Sequence, residues 1–457
     1  MLPQIKGIGE LISPIMTASN SMTFPKFIES ISIYTEDMAR NLIKQYLESA
    51  DQAFRNSNDR KENYYVKATR ERTLITMYGE VRYKRTTYED KYTGKTYTYV
   101  DRKFGIDRYI HYTNDIASYV YEAYSDENSM IKVGKEIGNL IYKKYTLVSN
   151  SEHALSRQLI KNLLFRVKKE VRVKYTGKKR EVTDLYIIVD EKFIPQQIKD
   201  LNAQDKGKKV MNKSVVIVEG LDTDDKKRHK YINPYYFTQC KGNFADDLAE
   251  IIFERYDIEK LERIHFLSDG GLWIKGLKND MKMINVDLTE YTDKFHTFKA
   301  LWALTLNKDK YKEAITPLVK NEKENFKKYL ETLEIPESKI DKKNYLLNNW
   351  TTIQNILSLK TMNCSAEQVI SHHIASQFTS VAKAFSKNNL DFYFAMRDNY
   401  RNNENLKELF LMALDRQDVN DKINKDEYDF SLFDKDDGTH DYSTILNNGD
   451  HLKIGHF

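Results

Sequence analysis

DLYIIVDE at residues 184–191 and RIHFLSDGGLWIK at 263–275 are the two stretches that decide how this chain folds. The unbroken apolar run 185–189 predicts a β-strand covered on both faces, because a strand with one solvated face alternates apolar and polar residues. A carboxylate at the end of such a strand must find a cation or water, since an isolated charge is costly to bury. Asp190 and Glu191 end the first strand, and Asp269 ends the second. Acids remote in sequence but joined in one sheet form the oxygen-ligand pattern of a divalent-ion site in an enzyme that moves phosphodiester bonds.

Outward from these strands, the pattern predicts strands at 185–189, 214–219 and 235–240, a helix at 245–256, a strand at 264–268, a short helix at 272–279 and a strand at 283–288. By fold-level analogy, this succession is that of an α/β, ribonuclease-H-like domain. In that topology the first and fourth strands are neighbours, which puts Asp190 and Asp269 about one strand spacing apart. Two ions about 3.5–4 Å apart need a third carboxylate. Glu367 is the choice: in NCSAEQ (363–368), Ser365 and Gln368 match a capping box and Glu367 falls in the first helical turn. A Glu in that place also favours the helix dipole with no further role.

Upstream, a helix is predicted over 38–54, followed by an antiparallel meander: TLITMY from Thr73, a turn at Gly79, VRYKRTTYE, a turn at DKYTGK, and TYTYVD. Arg82, Lys84 and Arg85 alternate with Tyr83 and Tyr88, either as a DNA-facing surface or as a half-buried sheet with a solvated basic face. Three helices follow near 114–124, 130–145 and 151–169. Ser151 caps the last, and Leu155, Leu159, Leu163 and Val167 recur every four residues. This resembles a helix-turn-helix whose final helix lies in the major groove, with Arg157, Lys161, Arg166, Lys168, Lys169 and Arg172 on phosphates or base edges. An ordinary helical bundle with a charged exterior is the alternative.

The chain has 457 residues, enough for two or three domains, and a net charge of +5 that is unevenly spread. Residues 157–180 contain a single acid, Glu170, whereas the tail from Asp415 is dominated by Asp and Glu. The basic end attracts phosphate. A mean hydropathy of -0.65 and 30% charged residues exclude an integral membrane protein, and the start has no secretory pattern, so a cytoplasmic protein is expected. Two cysteines, Cys240 and Cys364, exclude a disulfide framework and a Cys-rich zinc site. Asp293 and His296 follow a predicted strand and form a candidate pair supporting the metal ligands, as does Glu191; the alternative for His296 is packing against a helix. Trp273 reads as a core residue and Gly270–Gly271 as a tight strand-to-helix turn.

VDE (189–191), SDGGLWIKG (268–276), TDKFHTFKAL (292–301) and EQVISHHIASQF (367–378) together resemble the signature blocks of the ISLre-type insertion-sequence transposases. RERTLITMYGEVRYKRTTYEDKYTGKTY and SRQLIKNLLFRV are similar to that family's N-terminal strands and helix-turn-helix, so the likeness spans roughly 70–399. It lapses in TSVAKAFSKNN after residue 378, where the family has a segment rich in Arg, Pro, Gly and Trp. The resemblance implies a DDE-type transposase acting on double-stranded DNA as a homodimer or larger, with Asp190, Asp269 and Glu367 holding two Mg2+ ions, or Mn2+. An inactive DNA-binding relative and a nuclease of the same fold remain as rivals. The implied organisation is 1–68, a helical region; 69–112, the meander; 113–180, the helix-turn-helix-like region; 181–400, the catalytic domain with a helical insertion at about 300–360; and 401–457, an acidic tail.

Overall fold

The computed structural model describes residues 23–106, 110–142, 154–167, 172, 175–197, 209–222, 230–268, 272–281, 284–359, 373–374, 376–379 and 385–415. Its first element is a helix, Phe24–Asn56, that begins well before the predicted 38–54. The helix packs on a three-stranded antiparallel sheet, β1 (Tyr64–Thr76), β2 (Gly79–Asp90) and β3 (Thr96–Thr98). Leu47 lies in one core with Leu74, Val81 and Tyr83, and the Phe54 ring meets Tyr88 edge-on at 5.1 Å. The β1–β2 hairpin turns into Gly79, whose φ of +102° suits a residue without a Cβ. The third strand is shorter than predicted. A helix, Tyr99–Lys103, replaces its second half, with Val100 fully buried and Asp101 paired to both Arg72 and Arg85.

Three helices follow at Asn114–Glu127, Met130–Tyr142 and Arg157–Leu164. The last is shorter than the predicted 151–169. Ser156 caps it, its hydroxyl accepting from the Leu159 amide at 3.2 Å, and a 3-10 turn, Phe165–Val167, ends it. The expected cap, Ser151, lies outside the described residues. Leu155 precedes the helix and donates its amide to the Gly134 carbonyl at 2.9 Å. A Cβ at Gly134 would stand 2.3 Å from the Leu155 carbonyl oxygen, so glycine is there for the close approach. Gly134→Ala is therefore expected to destabilise the protein by about 1–3 kcal/mol. That outweighs the roughly 1 kcal/mol by which alanine favours a helix. A denaturant titration checks this, and an unchanged midpoint would refute it.

These helices share a core with the helix Leu390–Arg401: Ile116, Val120, Ile137, Ile160 and Leu164 meet Leu390, Phe394 and Met396 in it. The core also takes in Ile194 and Val210 from the central sheet. It continues past residue 401, where the acidic tail is expected to begin, with Leu406, Phe410, Ala413 and Leu414 buried.

The central sheet consists of β4 (Asp184–Pro195), β5 (Lys209–Val218), β8 (Tyr235–Gln239), β9 (Arg263–Ser268) and β10 (Asp287–Thr292), in the order β10-β9-β4-β5-β8. A separate two-stranded ribbon, β6 (Gly220–Asp222) with β7 (Lys230–Ile232), extends from it. β4, β9 and β10 run parallel, while β5 is antiparallel to both its neighbours. Leu185, Ile187 and Val189 pack with residues of the helices Phe244–Arg255 and Leu272–Met281. Tyr186 and Ile188 pack on the other face with Val216, Leu267 and Tyr291. Burial on both faces accounts for the unbroken apolar run. β10 lies four residues later than the predicted 283–288, because the buried pair that ends it is Tyr291 and Thr292.

Residues 294–358 form five helices, Lys294–Thr305, Lys308–Val319, Lys323–Glu331, Ile340–Asn348 and Trp350–Ser358. They have a core of their own built on Leu301, Phe326, Leu330, Leu346 and Ile353. The Asn355 side chain ties the last of them to β10 through the Glu290 carbonyl at 2.9 Å. The whole is a mixed α/β structure with several sheets. No helix among the described residues is long and apolar enough to cross a membrane.

Candidate active site

The parallel pairing of β4 with β9 runs from Asp184↔Arg263 to Ile188↔Leu267. Asp190 stands two residues beyond Ile188, and Asp269 two residues beyond Leu267. Asp269 itself lies outside the described residues, as does Glu367 with its predicted capping box. Asp190 is not at the end of its strand, because β4 continues to Pro195 alongside β5; it stands where the pairing with β9 has stopped. Its Oδ1 accepts the Glu191 amide at 2.8 Å, its Oδ2 lies 4.0 Å from Lys192 Nζ, and Ser214 is its partner across β5. At the end of β10, Asp293 donates its amide to the Ser268 carbonyl at 3.0 Å. The Asp293 carboxylate is almost fully buried and caps the helix Lys294–Thr305, with Oδ1 accepting the Phe295 amide at 2.6 Å. The half-buried His296 lies in the first turn of that helix, its ring edge-on to that of the neighbouring Phe295. Among the described residues, no three of His, Cys, Asp and Glu gather closely enough to hold a metal.

Glu191 does not join Asp190. Side chains alternate along a strand, so adjacent residues face opposite sides of the sheet. Glu191 continues the face of Leu185, Ile187 and Val189, and its Oε2 accepts the indole N–H of Trp273.

Four polar residues outside the predicted site residues extend the row that begins at Asp190. Ser214, its neighbour on β5, stands opposite Thr238 on β8, with the two hydroxyls 3.4 Å apart. The Thr238 hydroxyl is 3.4 Å from His373 Nε2, which lies 2.8 Å from Asp398 Oδ1, and all four residues are buried. Their sequence signal is faint: a hydroxyl inside SVVIV or YYFTQ reads as a tolerated polar residue in a strand. Burial pushes the His373 imidazole below its ordinary value against the pull of Asp398, and Arg397 and Arg401 add to the lowering. Folding therefore favours the neutral ring. Stability is expected to be fully present above the unfolded pKa of about 6.5 and to fall as pH drops below it, because only the unfolded chain takes up that proton. Thermal unfolding between pH 5 and 7 should show this slope, and His373→Gln should flatten it. An equal slope in the variant would remove His373 as its cause.

The predicted DNA-binding residues are dispersed. In β2, Tyr83 and Tyr88 are fully buried while Arg82 and Lys84 are exposed and Arg85 is half-buried. Arg82 pairs with Glu80, and Arg85 with Asp101. Arg157 is exposed, and Lys161 Nζ sits 5.5 Å from the Phe165 ring centroid. Arg166 is half-buried. Arg172 is engaged within the fold: it donates to the Thr238 carbonyl, stacks on Phe237 at 4.4 Å and approaches Asp398 at 4.0 Å. Lys168 and Lys169 lie outside the described residues. Burial, reinforced by Asp391, pushes the Cys240 thiol up to about 12, which keeps it protonated and inert.

A model of the uncharacterised protein family UPF0236 matches residues 17–409. The chain belongs to this family. One UPF0236 protein of Caldanaerobacter subterraneus subsp. tengcongensis is 28% identical over 409 residues, covering 86% of this chain and 76% of the relative. Another from that organism is 27% identical over 406 residues, covering 85% and 80%, and its name joins eleven locus designations. UPF0236 thus has many paralogues in one bacterium. The Drosophila P element transposase strand transfer complex is similar at 12% identity and a TM-score of 0.25, covering 73% of this chain and 90% of that one. So slight a structural likeness carries no argument.

Proposed function

We propose that this UPF0236 protein is a DDE-type transposase of an insertion sequence, cutting double-stranded DNA at the element's ends and joining those ends to a target. The observation that carries the reading is the parallel β4–β9 register, which stops two residues short of Asp190 in one strand and of Asp269 in the other. The strand order β10-β9-β4-β5-β8, with β5 alone antiparallel to its neighbours β4 and β8, supports a ribonuclease-H-like core, and the helices at 294–358 support an insertion before Glu367. A family spread over many loci of one genome is what a mobile element leaves.

In this reading Asp190, Asp269 and Glu367 hold two Mg2+ ions, for which Mn2+ can substitute. The donor chemistry fits: carboxylate oxygens suit a hard cation, and Asp190 is a half-buried carboxylate just beyond the end of the β4–β9 pairing. When bound, such ions activate water or a 3′ hydroxyl and neutralise charge on the departing oxygen. The chain's own part is positional. The Glu191 amide orients Asp190, the Asp293 amide fastens β10 to the end of β9, and the Asp293 cap fixes the helix that leaves the site. Exposed Arg157 and Lys84 are the proposed phosphate contacts that need no rearrangement, and two DNA ends require at least a homodimer.

The test is cleavage and joining of labelled DNA that carries the element's own ends, with Mg2+ or Mn2+. Joined products support the transposase. Cleavage without joining makes it a nuclease. Binding without cleavage leaves an inactive DNA-binding relative, the reading favoured by the departure at TSVAKAFSKNN.

A further inference from the structure

We infer that Glu191 and Trp273 form a clip that sets the spacing of the two aspartate-bearing segments, making both of them positioning residues for the metal site; this rests on the reading of Asp190 and Asp269 given above. Glu191 follows Asp190 directly, and Trp273 lies four residues after Asp269. The Trp273 indole N–H donates to Glu191 Oε2, so one hydrogen bond joins the strand that carries Asp190 to the first turn of the helix that follows Asp269.

Packing alone does not call for these residues. Leu185, Ile187 and Val189 make the row on this face of β4 apolar, and a fourth aliphatic side chain would continue it. A half-buried carboxylate breaks the row, at a desolvation cost that its hydrogen bond to the indole offsets. The ring is held from two further directions. Phe244 meets it at 85° and 5.9 Å, and Lys213, the partner of Glu191 across β5, places Nζ 5.1 Å from the ring centroid. The indole is thus fixed in orientation as well as buried, and its N–H is directed at the one acid that adjoins Asp190. A groove for an aromatic ligand would leave a ring face open, whereas here Lys213 covers one. The arrangement transmits position. A shift of the helix Leu272–Met281 along the sheet strains the bond to Glu191 and, through one peptide unit, moves Asp190. Partners that orient metal ligands typically alter metal affinity 10–100-fold when removed.

The test is Mn2+ binding to the full chain, followed by loss of the free-ion electron paramagnetic resonance signal, with thermal unfolding recorded on every variant. Trp273→Phe keeps the ring and removes the N–H, Glu191→Ala removes the acceptor, and Glu191→Gln keeps an oxygen acceptor. The clip requires Trp273→Phe and Glu191→Ala each to weaken Mn2+ binding about tenfold, the double variant to be no weaker than either alone, and Glu191→Gln to stay within about twofold. Unfolding temperatures within a few degrees of wild type keep this apart from a general loss of structure. Single variants that bind Mn2+ like wild type, or losses that add in the double variant, overturn the clip while Asp190→Ala still abolishes binding. Wild type that binds no Mn2+, or binds it equally after Asp190→Ala, overturns the metal site and the clip together.

Discussion

Asp398→Ala is expected to cost about 3–5 kcal/mol, because it leaves two buried donors without their charged acceptor, at roughly 1.5–3 kcal/mol each. The carboxylate is almost fully buried and serves two strong donors, the Thr238 amide at 2.8 Å and His373 Nε2 at 2.8 Å, with Arg172 at 4.0 Å. β8 is the edge strand of the central sheet, and its outward N–H groups would otherwise be open. The helix Leu390–Arg401 and the residue after it cover that edge with side chains: Asn402 takes the Tyr236 amide at 2.7 Å, Asp398 the Thr238 amide, and Asp391 the Cys240 amide at 2.6 Å. Asp391 and Asn402 are each expected to matter by about 1–2 kcal/mol, because Asp391 accepts one amide just past β8 and Asn402 accepts the Tyr236 amide and donates to its carbonyl at 3.0 Å. Asp398 also accepts from a fully buried histidine. Urea unfolding ranks the three, and a loss below about 1 kcal/mol at Asp398 would mean that His373 and Thr238 find other partners. Asp398→Asn, which keeps the acceptor for Thr238, should recover much of the loss.

This edge was invisible in the sequence, and the reason is physical. In LDFYFAMRDNYR (390–401) no pattern announces that Asp398 will meet a strand 160 positions earlier. The central strands are legible where burial on both faces demands an apolar run, which 185–189 and 215–218 supply, whereas His265 interrupts the run at 264–267. β10 lies later than the predicted MINVDL (283–288) because DLTEYT is only partly buried and is the less strand-like run in sequence. The third helix was overextended because Leu155 keeps the four-residue period while standing outside the helix, against Gly134. Asp190 and Glu191 were legible as acids at the edge of an apolar run. That they serve opposite faces follows from strand alternation alone. In the meander, alternation alone does not separate the two alternatives for β2: Tyr83 and Tyr88 are both buried although they stand five residues apart, while Arg82 and Lys84 are exposed.

Asp190→Ala is expected to lower the rate of DNA cleavage by at least about 10³-fold, a loss of roughly 4 kcal/mol of transition-state stabilisation. The same change should shift stability by no more than about 1 kcal/mol, because Asp190 is only partly buried and its neighbour Lys192, at 4.0 Å, retains access to water. That separation distinguishes a site residue from a structural one. Asp293→Ala is the contrasting case: it removes a helix cap and should cost about 0.5–2 kcal/mol, whereas Asp293→Asn keeps an oxygen for the Phe295 amide and should fold like wild type. Cleavage measured beside unfolding on these variants, with DNA binding as a control, decides between roles. Activity surviving Asp190→Ala would remove the proposed chemistry outright. Activity surviving Glu367→Ala but lost in Asp293→Asn would move the third carboxylate to the end of β10, where the structure already fastens Asp293 to Ser268, one residue before Asp269.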